Sequence, residues 1–112
     1  MEAGQLNPPI HSELLEPFFA AVIARWGMQC INAKKAADAL PDDDTSYLAD
    51  QIRWRVEDTC RNAWWGIRAL NRVVLACPDA HHAAIAIGNE KSRFSDLIES
   101  LIGVNPIMEW KI

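Results

Sequence analysis

Hydrophobic side chains recur every three or four residues along most of this chain, which is the spacing of one face of an α-helix. The stretch Pro17–Leu40 has one such face. Its opposite side is also apolar and mostly small, with Ala20, Ala24, Gly27 and Ile31. A helix that is apolar on two sides is covered from two sides, and Gly27 would allow close approach of a neighbouring backbone. Because proline suits the first helical position, we expect the helix to begin near Pro17 and Ser12–Glu16 to form a turn.

A second, longer helix is predicted over Thr45–Cys77, which contains no proline and a single glycine, Gly66. Asp44 or Thr45 is expected to cap its N-terminus through a side-chain oxygen. The main apolar stripe of this helix has a spacing close to a heptad repeat: Leu48, Ile52, Val56, Cys60, Ala63, Ile67, Leu70, Val74 and Cys77. This rhythm predicts that the first two helices form an antiparallel hairpin.

The remainder of the chain predicts either one continuous third helix or two shorter helices separated in the middle. Pro78 and Asp79 interrupt the second helix, and helical patterns follow over Ala80–Ile87 and Glu90–Ile102. The Gly88–Asn89 pair lies between these two patterns, and Gly103 is a suitable C-terminal stop. The final residues, 104–112, are expected to be an extended tail. This tail is too apolar to remain free, so we expect it to pack against the body or a partner.

The chain is therefore expected to be all-α, a bundle of three to four helices built on the long hairpin. No segment alternates apolar and polar residues in the manner of a β-strand. A length of 112 residues corresponds to one domain, here 1–112, with residues 1–15 as an N-terminal tail and turn.

Composition narrows the classes of function. The formal charge of −4 argues against a dedicated nucleic-acid binder and against a polybasic membrane-surface protein. No secretory signal pattern is visible at the N-terminus, so a cytoplasmic location is expected. The three cysteines are Cys30, Cys60 and Cys77, and none forms a CxxC pair. We therefore expect them to be small buried hydrophobic residues rather than metal or redox ligands.

The back of the second helix carries the most informative pattern. Tyr47, Trp54 and Trp65 point about 160° away from the main apolar stripe. Three arginines, Arg61, Arg68 and Arg72, lie on or beside the same side. Arginine stacks on indole rings and pairs with carboxylates or phosphates, and both residue types are enriched where proteins bind each other.

Three explanations of these tryptophans remain open from the sequence. Trp54 and Trp65 could cover the third helix within the chain, form a homodimer seam, or bind another macromolecule. Trp64 lies between the two faces and could serve either, whereas Trp26 is assigned to the hairpin seam. Two long helices have more apolar surface than one short helix and a tail can cover, which favours a homodimer.

No pattern for catalysis or metal binding is present. His81 and His82 are adjacent, so they point about 100° apart on a helix and cannot readily bind one metal ion, and His11 is isolated. The chain also lacks phosphate-binding glycine motifs and nucleophile motifs. We therefore expect no catalytic residue, no metal and no cofactor, and the sequence favours a non-enzyme without deciding the question.

These observations predict a small helical protein–protein interaction module, dimeric and able to bind a larger protein partner. It would act as a regulator, an inhibitor or an assembly subunit. The predicted interaction surface comprises Tyr47, Trp54, Arg61, Trp65, Arg68 and Arg72. One alternative is a ligand-binding or catalytic bundle in which Arg55, Arg61 and Arg68 hold an anion. A second alternative is a nucleic-acid binder that uses the same arginines and tryptophans; the acidic net charge argues against it.

Overall fold

The computed structural model describes the backbone of residues 12–77 and 80–110 and the side chains of residues 16–77 and 84–110. It contains three long helices and one short one: α1 (Ser12–Asp38), α2 (Tyr47–Leu75), α3 (Ala80–Ile102) and α4 (Pro106–Glu109). No strand occurs in these described ranges. The all-α prediction is therefore confirmed.

Helices α1 and α2 form the predicted antiparallel hairpin. The indole ring of Trp26, midway along α1, lies against Gly66 in the second half of α2. Towards the other end of the hairpin, Ala36 of α1 and Leu48 of α2 line the same groove. Contacts that descend along one helix as they ascend along the other define an antiparallel pair. The assignment of Trp26 to the hairpin seam is thus confirmed.

Helix α3 packs against the side of α1 that contains Gly27 and runs parallel to α1. The sequence predicts a neighbour on this side without saying which element it is. Phe94 and Leu97 of α3 lie next to Gly27, and Ile87, about two to three turns earlier, shares a cleft with Phe19 of α1. A methyl group added at Gly27 would lie 3.5 Å from Leu97 Cδ2, an ordinary van der Waals distance. Close approach of α3 therefore does not require a glycine at this position.

The core lies along the axis between the three long helices. It contains buried side chains from each of them and from the C-terminal segment: Phe19, Ile23, Cys30, Cys60, Ala63, Trp64, Ile67, Val74, Ile87, Phe94, Ile98 and Trp110. Because most of these side chains are aliphatic or aromatic, apolar burial is the main force that holds the bundle together.

The N-terminal boundary of α1 differs from the prediction. Residues 12–16 are helical rather than a turn, and Pro17 lies inside the helix. Proline removes one hydrogen bond, the one that its nitrogen would donate to the carbonyl of residue 13. The exposed Pro17 ring lies two residues before the buried Phe19. A single lost bond near the helix end is thus compatible with one additional helical turn.

Helix α3 is continuous, which decides between the two alternatives that the sequence left open at Gly88–Asn89. Ile87, Phe94 and Ile98 are all buried and lie seven and four residues apart. This spacing places them on one face only if the helix continues between them. Gly88 is exposed, and its cost of about 1 kcal/mol relative to alanine is smaller than the gain from burying the flanking side chains.

The C-terminal segment is partly helical rather than extended. Gly103 ends α3 with a φ of 71°, as the stop prediction required. Asn105 then caps α4, since its side-chain oxygen accepts hydrogen bonds from the N–H groups of Ile107 and Met108. Trp110 follows α4 and is only 9% exposed, within the core. The prediction that this segment packs against the body is confirmed for Trp110; residues 111–112 lie outside the described part.

The N-terminus of α2 is capped by Ser46, not by Asp44 or Thr45. Ser46 Oγ accepts a hydrogen bond from Ala49 N at 3.2 Å. Asp44 instead accepts a hydrogen bond from the Ser46 N–H at 3.0 Å, and this bond lowers the pKa of Asp44. Arg53 donates to the Asp44 carbonyl oxygen at 2.6 Å. The cap lies later than predicted because Asp44 is used to order the loop that precedes it.

Replacing Ser46 by alanine is expected to lower the free energy of unfolding by about 1 kcal/mol, since the Ala49 N–H loses its acceptor. Thr45→Ala is the matched control, because the described structure gives the Thr45 side chain no capping bond. Urea unfolding followed by circular dichroism measures both. An equal loss in the two variants would contradict the assignment of Ser46 as the cap.

Candidate interaction surface

Helix α2 has a buried side and a solvent-facing side. The buried side packs against α1 and α3 and comprises Ala49, Val56, Cys60, Ala63, Trp64, Ile67 and Val74. We call the opposite side, defined by the six predicted residues, the outer face of α2. Its members are Tyr47, Trp54, Arg61, Trp65, Arg68 and Arg72. Every one of them lies within the described part of the chain.

The three aromatic side chains of the outer face are exposed. Tyr47 is 80% exposed, Trp54 61% and Trp65 46%. Seven residues separate Tyr47 from Trp54 and eleven separate Trp54 from Trp65, which correspond to about two and three helical turns. The three rings therefore lie in one row along α2. Neither α3 nor α4 covers Trp54 or Trp65, so packing within the described chain does not account for them.

Arg61 lies at the edge of the outer face and is held in place by two neighbours. Its Nη2 donates to Glu57 Oε1 at 2.9 Å. Its guanidinium carbon lies 5.1 Å from the centre of the Trp110 ring, a cation–π geometry. The Nε atom is buried and has no hydrogen-bond partner among the described residues. Arg61 therefore joins the C-terminal segment to the outer face with part of its donor capacity unused.

The other two arginines extend the outer face towards the end of α2. Arg68 is half-buried, and Arg72 is exposed. The basic side chains of the helix outnumber the acidic ones by five to three. A positively charged surface with tryptophans is thus formed on a chain whose net charge is −4.

The other three tryptophans pack within the chain. Trp64, which the sequence left between two faces, is 2% exposed and belongs to the core. The ammonium group of Lys91 lies 5.6 Å from the centre of its ring. Trp26 is half-buried in the hairpin seam, and Trp110 lies beneath Arg61. Of the five tryptophans, only Trp54 and Trp65 are exposed, and both lie on the outer face of α2, about three turns apart.

The three arginines proposed as an anion site do not converge. Arg55 lines a groove between α1 and α2 with Ala33 and Leu48. Arg61 lies six residues later, about 120° around the helix, where it contacts Trp110. Arg68 is two turns beyond Arg61 on that second side. The structure therefore brings Arg68 and Arg61 to one edge and places Arg55 on another.

A cleft of about 500 Å³ at one end of the bundle was not predicted. It is lined by side chains of both charges, among them Lys34, Asp38, Arg53 and Glu57. Lys34 and Asp38 already form an ion pair at 3.1 Å. Arg53 is used by the loop before α2, where it also donates to the Pro41 carbonyl oxygen at 2.9 Å. Both cations of the cleft are therefore already paired, Lys34 within α1 and Arg53 with the loop before α2.

Two of the three cysteines are buried hydrophobic residues, as the sequence predicts. Cys30 and Cys60 are completely buried and face each other across the hairpin seam. The hydrogen bond with Cys60, together with burial, raises the pKa of Cys30 far above its ordinary value. The same bond lowers the pKa of Cys60. Cys77 is only half-buried, and its thiol donates to the Val73 carbonyl oxygen at 3.5 Å.

Within the residues that the structure describes, no three His, Cys, Asp or Glu side chains form a group that could hold a metal ion. His11 and the side chains of His81 and His82 lie outside the described part. None of the described helices combines the length and apolar content needed to cross a membrane. Comparison with protein-family models, curated proteins and solved structures gives no match to this chain.

Proposed function

We propose that this chain is a small helical protein–protein interaction module whose binding surface is the outer face of α2. The observation that carries the proposal is the exposure of Trp54 and Trp65 on one side of α2, opposite the side that is buried against α1 and α3. Tryptophan is a large apolar side chain, and leaving two of them in water is costly unless a partner covers them. Trp and Arg together are the residues most enriched at binding hot spots.

The mode of action that this surface supports is binding rather than chemistry. The outer face is a continuous row on a long, regular helix, which is a rigid support for recognition. The polar groups that could act on a small molecule are spread over separate edges of the bundle or paired with each other. A regulator, an inhibitor or an assembly subunit would each use such a surface.

The first test replaces Trp54 and Trp65 together by alanine. We expect the variant to lose association with the partner while it retains the fold, because both rings are largely outside the core. The readout is capture by the immobilised chain, with bound species identified by mass. Thermal unfolding of the free variant is measured in parallel.

The matched control is Phe18→Ala/Met28→Ala, which removes two apolar side chains that are 51% and 53% exposed on α1. A species that the wild-type chain and this control capture, and the tryptophan variant does not, supports the proposal. Equal capture by all three proteins would contradict the proposed function. So would a tryptophan variant that melts well below the control with its association intact.

A further inference from the structure

We propose that the occupant of the outer face is a second copy of this chain, with the two α2 helices antiparallel and Trp54 of each copy against Trp65 of the other. The proposal rests on the proposed function, since it uses the same surface, and it adds the identity and orientation of the partner. Three features of the molecule support it: the spacing of the outer face, its charges, and the residue pairs that an antiparallel second copy would form.

The outer face has the spacing of a helix–helix seam. Together with Gln51 and Asp58, its six residues form a row that starts at Tyr47 and advances by alternate steps of four and three residues along α2. The residues at these positions are Tyr47, Gln51, Trp54, Asp58, Arg61, Trp65, Arg68 and Arg72. Alternate steps of three and four keep a row facing one partner helix over many turns. The row thus matches a second helix along its length, not at a single point.

An antiparallel arrangement gives this row complementary partners. If Trp54 lies opposite Trp65 of the second copy, the two-fold symmetry places Asp58 opposite Arg61 and Tyr47 opposite Arg72. These are an aromatic pair, an ion pair and a cation–π pair, and each occurs twice in the dimer. Every aromatic residue and the one acid of the row then acquire a favourable partner.

Two other dimer arrangements pair the residues of this row less favourably. In a parallel dimer in register, each residue faces its own copy, so Arg61, Arg68 and Arg72 would each oppose an identical charge. An antiparallel dimer shifted by one heptad keeps an ion pair, Asp58 with Arg68, but it separates Trp54 from Trp65. Like charges in contact are unfavourable, and paired indoles bury more apolar surface together. The charges therefore select the antiparallel direction, and the tryptophans select the register.

The two members of the proposed ion pair are available for it. The Asp58 carboxylate accepts one weak bond, from the Asn62 side-chain amide at 3.4 Å, and no cation lies within ion-pair distance of it among the described side chains. The Arg61 side chain is 40% exposed, so its guanidinium can be reached from outside the chain. Glu57 and Trp110 fix its guanidinium at the edge of the face, so less rotamer freedom is lost when the second copy binds.

The test mixes two variants, Asp58→Arg and Arg61→Asp. Alone, each would form a dimer with two like-charge contacts, and we expect its self-association to weaken at least about tenfold. Mixed, they restore both opposite-charge contacts, so the heterodimer should regain the wild-type dissociation constant. Sedimentation velocity across micromolar concentrations measures all three. No effect within a single chain can mimic rescue that requires two different chains.

The other outcomes test the register and the identity of the partner separately. Rescue of Asp58→Arg by Arg68→Asp instead of Arg61→Asp would overturn the register. A wild-type chain that sediments only as a 12.6 kDa species would contradict the second copy as the occupant. Capture of a different protein, which the Trp54/Trp65 variant no longer captures, would still support the proposed function.

If Arg61→Asp disturbs α4, the double variant Gln51→Cys/Arg68→Cys in a Cys77→Ser background replaces the charge-swap test. Under mild oxidation it should give covalent dimers, and a purely monomeric product would contradict the proposal.

Discussion

Replacing Trp64 by alanine is expected to lower the free energy of unfolding by about 3–5 kcal/mol. The side chain is 2% exposed and lies in the core between α2 and α3. Its removal leaves a large cavity and takes away the ring over which Lys91 lies. Since a domain of this size is stabilised by about 5–15 kcal/mol in total, the variant should lose a large fraction of its stability.

The neighbouring residue supplies the control. Trp65→Ala removes the same side chain one position along the same helix, but from a site that is 46% exposed. We expect a change within about 0.5–1 kcal/mol when the chain is measured at concentrations where it is monomeric. Urea unfolding of both variants makes the comparison, and Trp64→Phe provides a milder core variant if Trp64→Ala does not fold. Similar losses for Trp64→Ala and Trp65→Ala would contradict the assignment of one to the core and the other to the surface.

The second large effect is a coupling between Gly66 and Trp26. A methyl group at Gly66 would lie 2.6 Å from Trp26 Cη2 and 2.8 Å from Cζ3, closer than such atoms can approach. Overpacking of this kind costs about 1–3 kcal/mol, partly offset by the higher helix propensity of alanine, about 1 kcal/mol. We therefore expect Gly66→Ala to destabilise the wild-type chain.

In a Trp26→Ala background the same change should have the opposite sign. Without the indole ring, only the helix propensity remains, and Gly66→Ala should stabilise by up to about 1 kcal/mol. A double-mutant cycle measured by urea unfolding gives the coupling directly. Gly27→Ala is the matched control, because its methyl group has room and should be neutral or stabilising. A coupling near zero would show that Trp26 moves aside without cost.

The helices could be predicted from the sequence because their signals are local. Apolar residues at steps of three and four placed the three long helices, and the turn residues around Pro41 separated the first two. The errors and the alternatives left open concern places where a local rule competes with packing. Pro17 and Gly88 disfavour helix on their own, but the buried Phe19, Ile87 and Phe94 beside them keep the helices continuous. Similarly, Ser46 could not be distinguished from Thr45 as a cap, since both have suitable hydroxyl groups.

The candidate surface, too, was predicted only as far as local helical spacing reaches. Helical spacing alone placed Tyr47, Trp54 and Trp65 on one side of α2. The spacing could not say whether a neighbouring helix covers that side, because exposure depends on where α3 and the C-terminal segment pack. It also could not separate Trp64 from Trp65, or connect Arg61 with Trp110, which are far apart along the chain.

By itself, therefore, the sequence determined the helical class, the hairpin and the row of aromatic and basic residues along α2, since each follows from the period of the helix. Only the tertiary structure decided which tryptophans are buried, that Gly66 accommodates the Trp26 ring, and that Arg55 lies apart from Arg61. These outcomes depend on which side of each helix faces a neighbour. That choice is made when the three helices share one core, and the helical period alone does not determine it where a helix has large apolar residues on more than one side.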